Sequence, residues 1–229
     1  MRAPTAQLKL VVFDAAGTLI FPHPSVGEVY AEIASAYGVT VEPKAVETRF
    51  ADAFKHLSQQ PRPSLNIRDD RDFWRLVVRE TFGGRTPPAD CFDAFFEDLW
   101  QAFATAKRWR LQHGTRDLLH DLKSLGLRVA LLSNADDRFR QVFRELDLLD
   151  AFDGFFLSGE IGAEKPAPAA FAAVEQAMGF AGGEILHVGD SERADYAGAL
   201  EAGWHALLVN PESGLGYVWS KVKTLLELP

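Results

Sequence analysis

From His113 to Val209 the chain alternates segments of helical periodicity with short apolar runs four times over, and few folds accommodate such a pattern. The periodic stretch Thr115 to Leu125 precedes Leu127-Arg-Val-Ala-Leu-Leu132, and Asp136 to Leu146 precedes Phe152-Asp-Gly-Phe-Phe-Leu157. Pro168 to Met178 then leads to Ile185-Leu-His-Val188, and Ala194 to Ala202 leads to His205-Ala-Leu-Leu-Val209. Regular alternation of this kind implies right-handed crossovers, so the expected fold is α/β, a doubly wound parallel sheet with helices on both faces. The run Leu8-Lys-Leu-Val-Val-Phe13 supplies a first strand to the same sheet.

Between that strand and His113 the period changes. Val29, Ile33 and Ala34, then Phe50, Phe54 and Leu57, recur at helical spacing, and three or four helices fit. Phe21-Pro-His-Pro24, Gln59-Gln-Pro-Arg-Pro63 and Gly83-Gly-Arg-Thr-Pro-Pro88 mark the joints, because proline interrupts regular hydrogen bonding and glycine permits turns. The expected organisation is therefore an α/β core from residues 1–21 and 109–229, with a helical insertion over 22–108. Phe73, Trp74, Phe82, Phe92, Phe95, Phe96, Trp100 and Phe103 are read as the insertion's own core.

With 229 residues, of which 47% are hydrophobic, the chain can bury a substantial core. A net charge of -8 opposes a surface built for nucleic-acid phosphates or anionic lipid. An anionic substrate must then be met by local positive charge or by a metal. The lone Cys91 forms no internal disulfide, and no signal-peptide pattern is present, which makes the cytoplasm the expected compartment. No apolar stretch approaches the roughly 20 residues that span a bilayer. The sequence does not set the oligomeric state.

Along the carboxyl edge of a doubly wound sheet, polar residues just after each strand converge even when far apart in sequence. Four such sets follow the strands: Asp14 to Leu19, Ser133-Asn134, Lys165-Pro166, and Gly189-Asp190-Ser191 with Asp195. An aspartate nucleophile can attack phosphorus if the charges on both are offset. Asp14 and Asp190 provide hard oxygen ligands suited to Mg²⁺, while Lys165 with Ser133 or Asn134 would hold phosphoryl oxygens. Each residue also has an ordinary reading: Ser133 and Asn134 as caps of the next helix, Lys165 as a solvated helix-start residue, Asp195 as a first-turn acid.

The combination of Asp14-x-x-Gly17-Thr18-Leu19, Ser133-Asn134, Lys165-Pro166 and Gly189-Asp190-Ser191 with Asp195 resembles the haloacid dehalogenase-like hydrolases, and the insertion stands where their C1 helical cap does. The resemblance implies a Rossmann-like core, with Asp14 as the nucleophile that forms an aspartyl-phosphate. It implies that Ser133 and Asn134 bind the phosphoryl group, that Lys165 steadies nucleophile and phosphoryl, and that Asp195 and Thr18 are supporting. Mg²⁺ would be held by Asp14, the backbone carbonyl at Ala16 and Asp190. The implied substrate is a small phosphorylated metabolite.

One position departs from that pattern. Phosphatases of this superfamily carry an acid/base aspartate two residues after the nucleophile, and here the position is Ala16. Three readings follow: a phosphohydrolase with weakened or redirected proton transfer, carbon-centred chemistry of the phosphonatase or dehalogenase type, or a catalytically silent member that binds a phosphorylated ligand or a partner. His23 is a candidate substitute acid, and Lys44 and Lys55 are the insertion's candidates for a Schiff-base lysine. Arg62, Arg68, Arg71, Arg75 and Arg79 are read as an exposed face paired with Asp69, Asp70 and Asp72, with recognition of a phosphorylated ligand as the alternative.

Overall fold

The computed structural model describes residues 7–60, 70–210 and 214–227. The chain divides into two compact units, one formed by Met1–Phe21 with Arg110–Pro229 and the other by Pro22–Trp109. The first unit is built on β1 (Leu10–Phe13), β4 (Arg128–Ser133), β5 (Gly154–Leu157), β6 (Ile185–Gly189) and β7 (His205–Leu208). Their order is β5-β4-β1-β6-β7, and every pairing is parallel. This is the expected α/β sheet.

β1 is central because it is the most apolar strand: all four of its residues are fully buried, as in a strand covered on both faces. Phe13 stands opposite Leu131 of β4 on one side and Val188 of β6 on the other, and the chain builds outward from β4 to β5 before crossing to β6 and β7, so its connections diverge on either side of β1. That divergence opens the crevice in which such sheets place ligands. On one face Leu10, Val12, Ala130, Leu132 and Ile185 pack against Phe171 and Val174 of α8 (Pro168–Met178) and against Trp204. Each large apolar side chain buried in this way contributes about 1.5–3 kcal/mol.

Several boundaries differ from the sequence reading, each for a local reason. Ser133 is the last residue of β4 instead of the first beyond it, because it still pairs with Leu157. α6 spans Arg138–Glu145 and starts later than expected, since the Asp136 carboxylate binds the Arg138 amide and guanidinium and takes its place as a turn before the helix. Ser133 and Asn134 therefore do not cap α6. The helix expected from Ala194 begins as a π-helical turn, Glu192–Ala197, and continues as α9 (Gly198–Glu201). α5 (Thr115–Ser124) agrees with expectation, while α7 (Ser158–Ile161) and α10 (Gly216–Leu225) were not foreseen. Nor were β2 (Ile20–Pro22) and β3 (Trp109–Leu111), which pair as a two-stranded sheet. Pro22 is tolerated there as the terminal residue of a strand in a sheet that consists only of edges.

The second unit contains α1 (Val26–Ala36), α2 (Pro43–Ser58), α3 (Asp70–Phe82) and α4 (Phe92–Ala102). Ser25 Oγ accepts the Glu28 amide and starts α1; Glu42 accepts the Ala45 amide and starts α2, with Pro43 in the first turn where its missing N–H costs nothing. Val26, Tyr30, Val46, Val78, Phe82, Phe92, Phe95, Phe96 and Leu99 form its core, with Phe82 and Phe95 edge to face at 5.2 Å. Phe95 is fully buried, so Phe95→Ala should destabilise this unit by about 3–5 kcal/mol. Thermal unfolding followed by aromatic fluorescence checks this, and an unchanged midpoint would contradict the packing described.

α3 and α4 are joined by a ladder of arginines on rings. Arg71 lies 4.8 Å from the Trp100 ring centroid, Arg75 lies 4.5 Å from Phe96, and Arg79 lies 3.9 Å from Phe92. Steps of about four residues on both helices keep the pairs in register along antiparallel axes. Arg71 also pairs with Glu97, and Arg75 with Asp93 at 2.5 Å, so these cations are engaged across the helix pair. Arg62, Arg68 and Asp69 lie outside the described residues. None of the described helices is long and apolar enough to cross a membrane.

Candidate active site

Asp14 follows the last residue of β1 and extends its ladder by one bond, donating its amide to the Val188 carbonyl at 2.9 Å. The chain then turns hard. The Ala15 carbonyl accepts the amides of Thr18, Leu19 and Ile20, and the Gly17 amide donates to the Ile20 carbonyl. The Ala16 carbonyl is not among these acceptors. Gly17 has φ +87, and a Cβ there would stand 2.4 Å from Asp190 Oδ2. Glycine is thus required twice over, by the turn and by the carboxylate that lies against it. Thr18 is buried, and its Oγ1 has no hydrogen-bond partner.

Lys165 is the hub of the site. Asn134 clamps its main chain from both sides, Nδ2 donating to the Lys165 carbonyl and Oδ1 accepting its amide, each at 2.8 Å. The side chain is 4% exposed as a residue, and Nζ donates to Asp14 Oδ1 at 2.7 Å, to Asp195 Oδ1 at 2.6 Å and to the Leu132 carbonyl at 2.7 Å. An ammonium has three donors, and all three are used. Asp195 is equally committed: Oδ1 also meets His187 Nε2 at 2.9 Å, and Oδ2 accepts the Ser191 amide at 2.9 Å. Its carboxylate packs against Gly189, where a Cβ would stand 2.2 Å from Asp195 Cγ. Gly189→Ala should therefore dislodge Asp195 and cost about 1–3 kcal/mol, read as a lower urea midpoint; wild-type stability would mean that the contact is slack.

The charges are unevenly balanced. Burial works against ionising Asp195, yet Lys165 and His187 hold its carboxyl well below the usual carboxylate range. The Asp14 carboxyl is pushed up by burial, against the pull of Lys165 and with the help of repulsion from Asp195. Lys165 stays protonated despite burial, because Asp14 and Asp195 flank it. Asp190 is exposed as a residue, but its carboxylate leans over Gly17; desolvation, then Asp14 and Asp195, push it up to about 7. Oxygens of Asp14, Asp190 and Asp195 lie within 4.8 Å of one another. Two of these carboxylates, Asp14 and Asp195, share the Lys165 ammonium, whose third hydrogen goes to the Leu132 carbonyl.

Of the residues singled out from sequence, the structure brings Asp14, Lys165, Asp190 and Asp195 into one cluster, with Asn134 bracing Lys165 and Ser133 buried at the end of β4. His23, Lys44 and Lys55 belong to the helical unit and take no part in these bonds. His187 was overlooked, having been counted only as part of a strand. Its signal was a lone imidazole in the otherwise apolar run Ile185-Leu-His-Val188, a few residues before an aspartate.

The family model described as haloacid dehalogenase-like hydrolase matches residues 8–203. Haloacid dehalogenase-like hydrolase domain-containing protein 3 of Mus musculus is 32% identical over 206 residues, covering 89% of this chain and 82% of the relative. Among solved structures, L-2-haloacid dehalogenase of Xanthobacter autotrophicus is similar with a TM-score of 0.70 and 26% identity, covering 88% of this chain and 77% of that one. A HAD phosphatase of Thermococcus onnurineus is similar in fold, with a TM-score of 0.60 at 23% identity, covering 89% of this chain and 86% of that one.

Proposed function

The chain belongs to the haloacid dehalogenase-like hydrolases, and on that premise we propose that it is a Mg²⁺-dependent phosphohydrolase acting on a small phosphorylated metabolite through Asp14. The observation that carries the reading is the uncompensated negative charge at the end of β1. Asp195 is saturated by Lys165, His187 and the Ser191 amide, whereas Asp190 is pushed up to about 7, by desolvation first and then by repulsion from Asp14 and Asp195. A divalent cation would relieve that repulsion, and carboxylate oxygens are the ligands Mg²⁺ accepts. Asp14, Asp190 and the Ala16 carbonyl are the groups that would hold it, with Asp195 supporting from outside the ligand set. Bound there, Mg²⁺ supplies positive charge for the phosphoryl oxygens.

The remaining chemistry belongs to the chain itself. Lys165 occupies Asp14 Oδ1 and so leaves Oδ2 as the attacking oxygen. Asp14 Oδ2 forms a bond to phosphorus as the bond to the leaving oxygen breaks, giving an aspartyl-phosphate. The Ser133 hydroxyl and the second Nδ2 hydrogen of Asn134 are the donors at hand for phosphoryl oxygens, while Lys165, its three hydrogens already engaged, offers its positive charge. Water then cleaves the intermediate, releasing phosphate and restoring Asp14. Neither step finds a general acid or base at Ala16. Leaving groups that depart without a proton, such as aryl or acyl phosphates, suit this site better than alkyl phosphates.

Alanine at position 16 also suits carbon-centred chemistry, and the test separates the two. Phosphorylated metabolites, aryl phosphates and 2-haloacids are offered with Mg²⁺ and with EDTA, and phosphate and halide are measured. Phosphate release that EDTA abolishes is the expected result. Halide release that ignores EDTA would replace this reading with dehalogenation.

A further inference from the structure

His187 lies on β6 between Val12 of β1 and Ala206 of β7, in the middle of a sheet face that is otherwise apolar. It is 1% exposed, with the Phe171 and Trp204 rings at 6.1 and 6.3 Å. A histidine that merely filled this space would be poorly chosen, since leucine or phenylalanine carries no polar atoms to desolvate. Its one polar contact is Asp195 Oδ1, the same oxygen that receives Lys165. Nδ1 is buried with no hydrogen-bond partner.

These facts fix the protonation pattern. Asp195 is an acceptor, so Nε2 must carry the hydrogen. A second hydrogen on Nδ1 would be an orphaned donor in the apolar core, whereas a bare lone pair there costs less. Burial, the main cause, holds the ring below its ordinary range; of the charged and titratable groups around it, Asp195 and Asp14 favour its protonation and Lys165 opposes it.

We propose that His187 is a positioning residue, a neutral Nε2–H imidazole that holds Asp195 where it shares Lys165 with Asp14. The chain of contacts is continuous: His187 Nε2 to Asp195 Oδ1, Asp195 Oδ1 to Lys165 Nζ, Lys165 Nζ to Asp14 Oδ1. His187 fixes Asp195 from the side opposite the Ser191 amide, so the carboxylate cannot swing towards Asp14 and Asp190 and take the lysine with it. His187 does not touch the reacting atoms. It keeps Lys165 on Asp14 Oδ1 so that Oδ2 stays turned to the substrate, and in this it rests on the phosphohydrolase reading.

Two variants and a spectrum test it. His187→Phe keeps a ring in the core and removes the donor, while His187→Gln places an amide hydrogen near the position of Nε2 at the expense of packing. A positioning role predicts that Phe lowers kcat for p-nitrophenyl phosphate at least about ten-fold with little change in KM, and that Gln recovers most of the loss. A space-filling role predicts the reverse order, and that result would overturn the proposal. Independently, long-range ¹H–¹⁵N correlation in the wild-type protein should show the Nε2–H neutral tautomer; the Nδ1–H tautomer or an imidazolium at neutral pH would overturn the assignment. Wild-type protein without Mg²⁺-dependent turnover would end the phosphohydrolase reading, and the spectrum would still decide the hydrogen bond. Both variants are compared at matched thermal midpoints, so that an unfolded protein is not read as an inactive one.

Discussion

Ala16→Asp raises turnover of alkyl phosphates by about 10²–10⁴-fold, the factor a positioned general acid contributes. Position 16 is half-buried, on the turn that carries Gly17 against Asp190, so a carboxyl there enters the same negative field. Desolvation, and after it that field, already push Asp190 up to about 7. A new carboxyl placed in it is shifted in the same direction, and a carboxyl that keeps its proton near neutrality is what protonating an alkoxide requires. After transfer it becomes the base that the aspartyl-phosphate lacks. The gain should be smaller with p-nitrophenyl phosphate, whose leaving group needs no proton, and any gain there reports the second step. Steady-state rates with both substrates check this. No gain with either would mean that Asp14 and Lys165 are not poised for phosphoryl transfer, and the chemistry would have to be sought elsewhere.

Much of this site was legible because its parts are tied to strand ends. A parallel strand announces itself by a short apolar run, and the residue after it is delivered to the carboxyl edge wherever it lies in the sequence. Asp14, Ser133 and Asp190 could be assigned to one rim for that reason, without knowledge of the angles between elements. Lys165 and Asn134 show where that logic stops. The Asn134 amide reads from sequence as a phosphate ligand or a helix cap, and its grip on the Lys165 main chain, between residues 31 apart, is a further task that no local pattern encodes. Asp195 reads from sequence either as a supporting carboxylate or as a first-turn helix residue; in the structure it lies on a π-helical turn over Glu192–Ala197, where Lys165, His187 and the Ser191 amide receive its carboxylate. The arginines of α3 show the same limit. Their i, i+4 spacing suggests pairing along one helix, while the rings and carboxylates of α4 that engage them are visible only once the helices pack.

Asp14→Asn abolishes turnover and, without metal, stabilises the fold by about 1 kcal/mol. The first effect follows from the loss of the attacking carboxylate. The second follows from its surroundings. Asp14 is 8% exposed, and its carboxyl is pushed up by burial against the pull of Lys165. A carboxyl whose folded-state pKa lies above its unfolded value binds protons more readily in the folded chain, so its ionisation destabilises the fold as pH rises through the folded value. Asparagine is uncharged and retains an oxygen for the Lys165 ammonium, so it removes the repulsion from Asp190 and Asp195 without orphaning the lysine. The gain is therefore present at neutral pH and shrinks as acid protonates Asp14 in the wild type. Urea unfolding in EDTA at a series of pH values from about 7.5 downward follows that decline. With Mg²⁺ present the order narrows or reverses, because a ligand that binds only the folded state stabilises the protein that still holds it. A destabilised Asn variant in EDTA would show that the negative charge at position 14 is already balanced by Lys165, and would remove the electrostatic case for a cation beside Asp190.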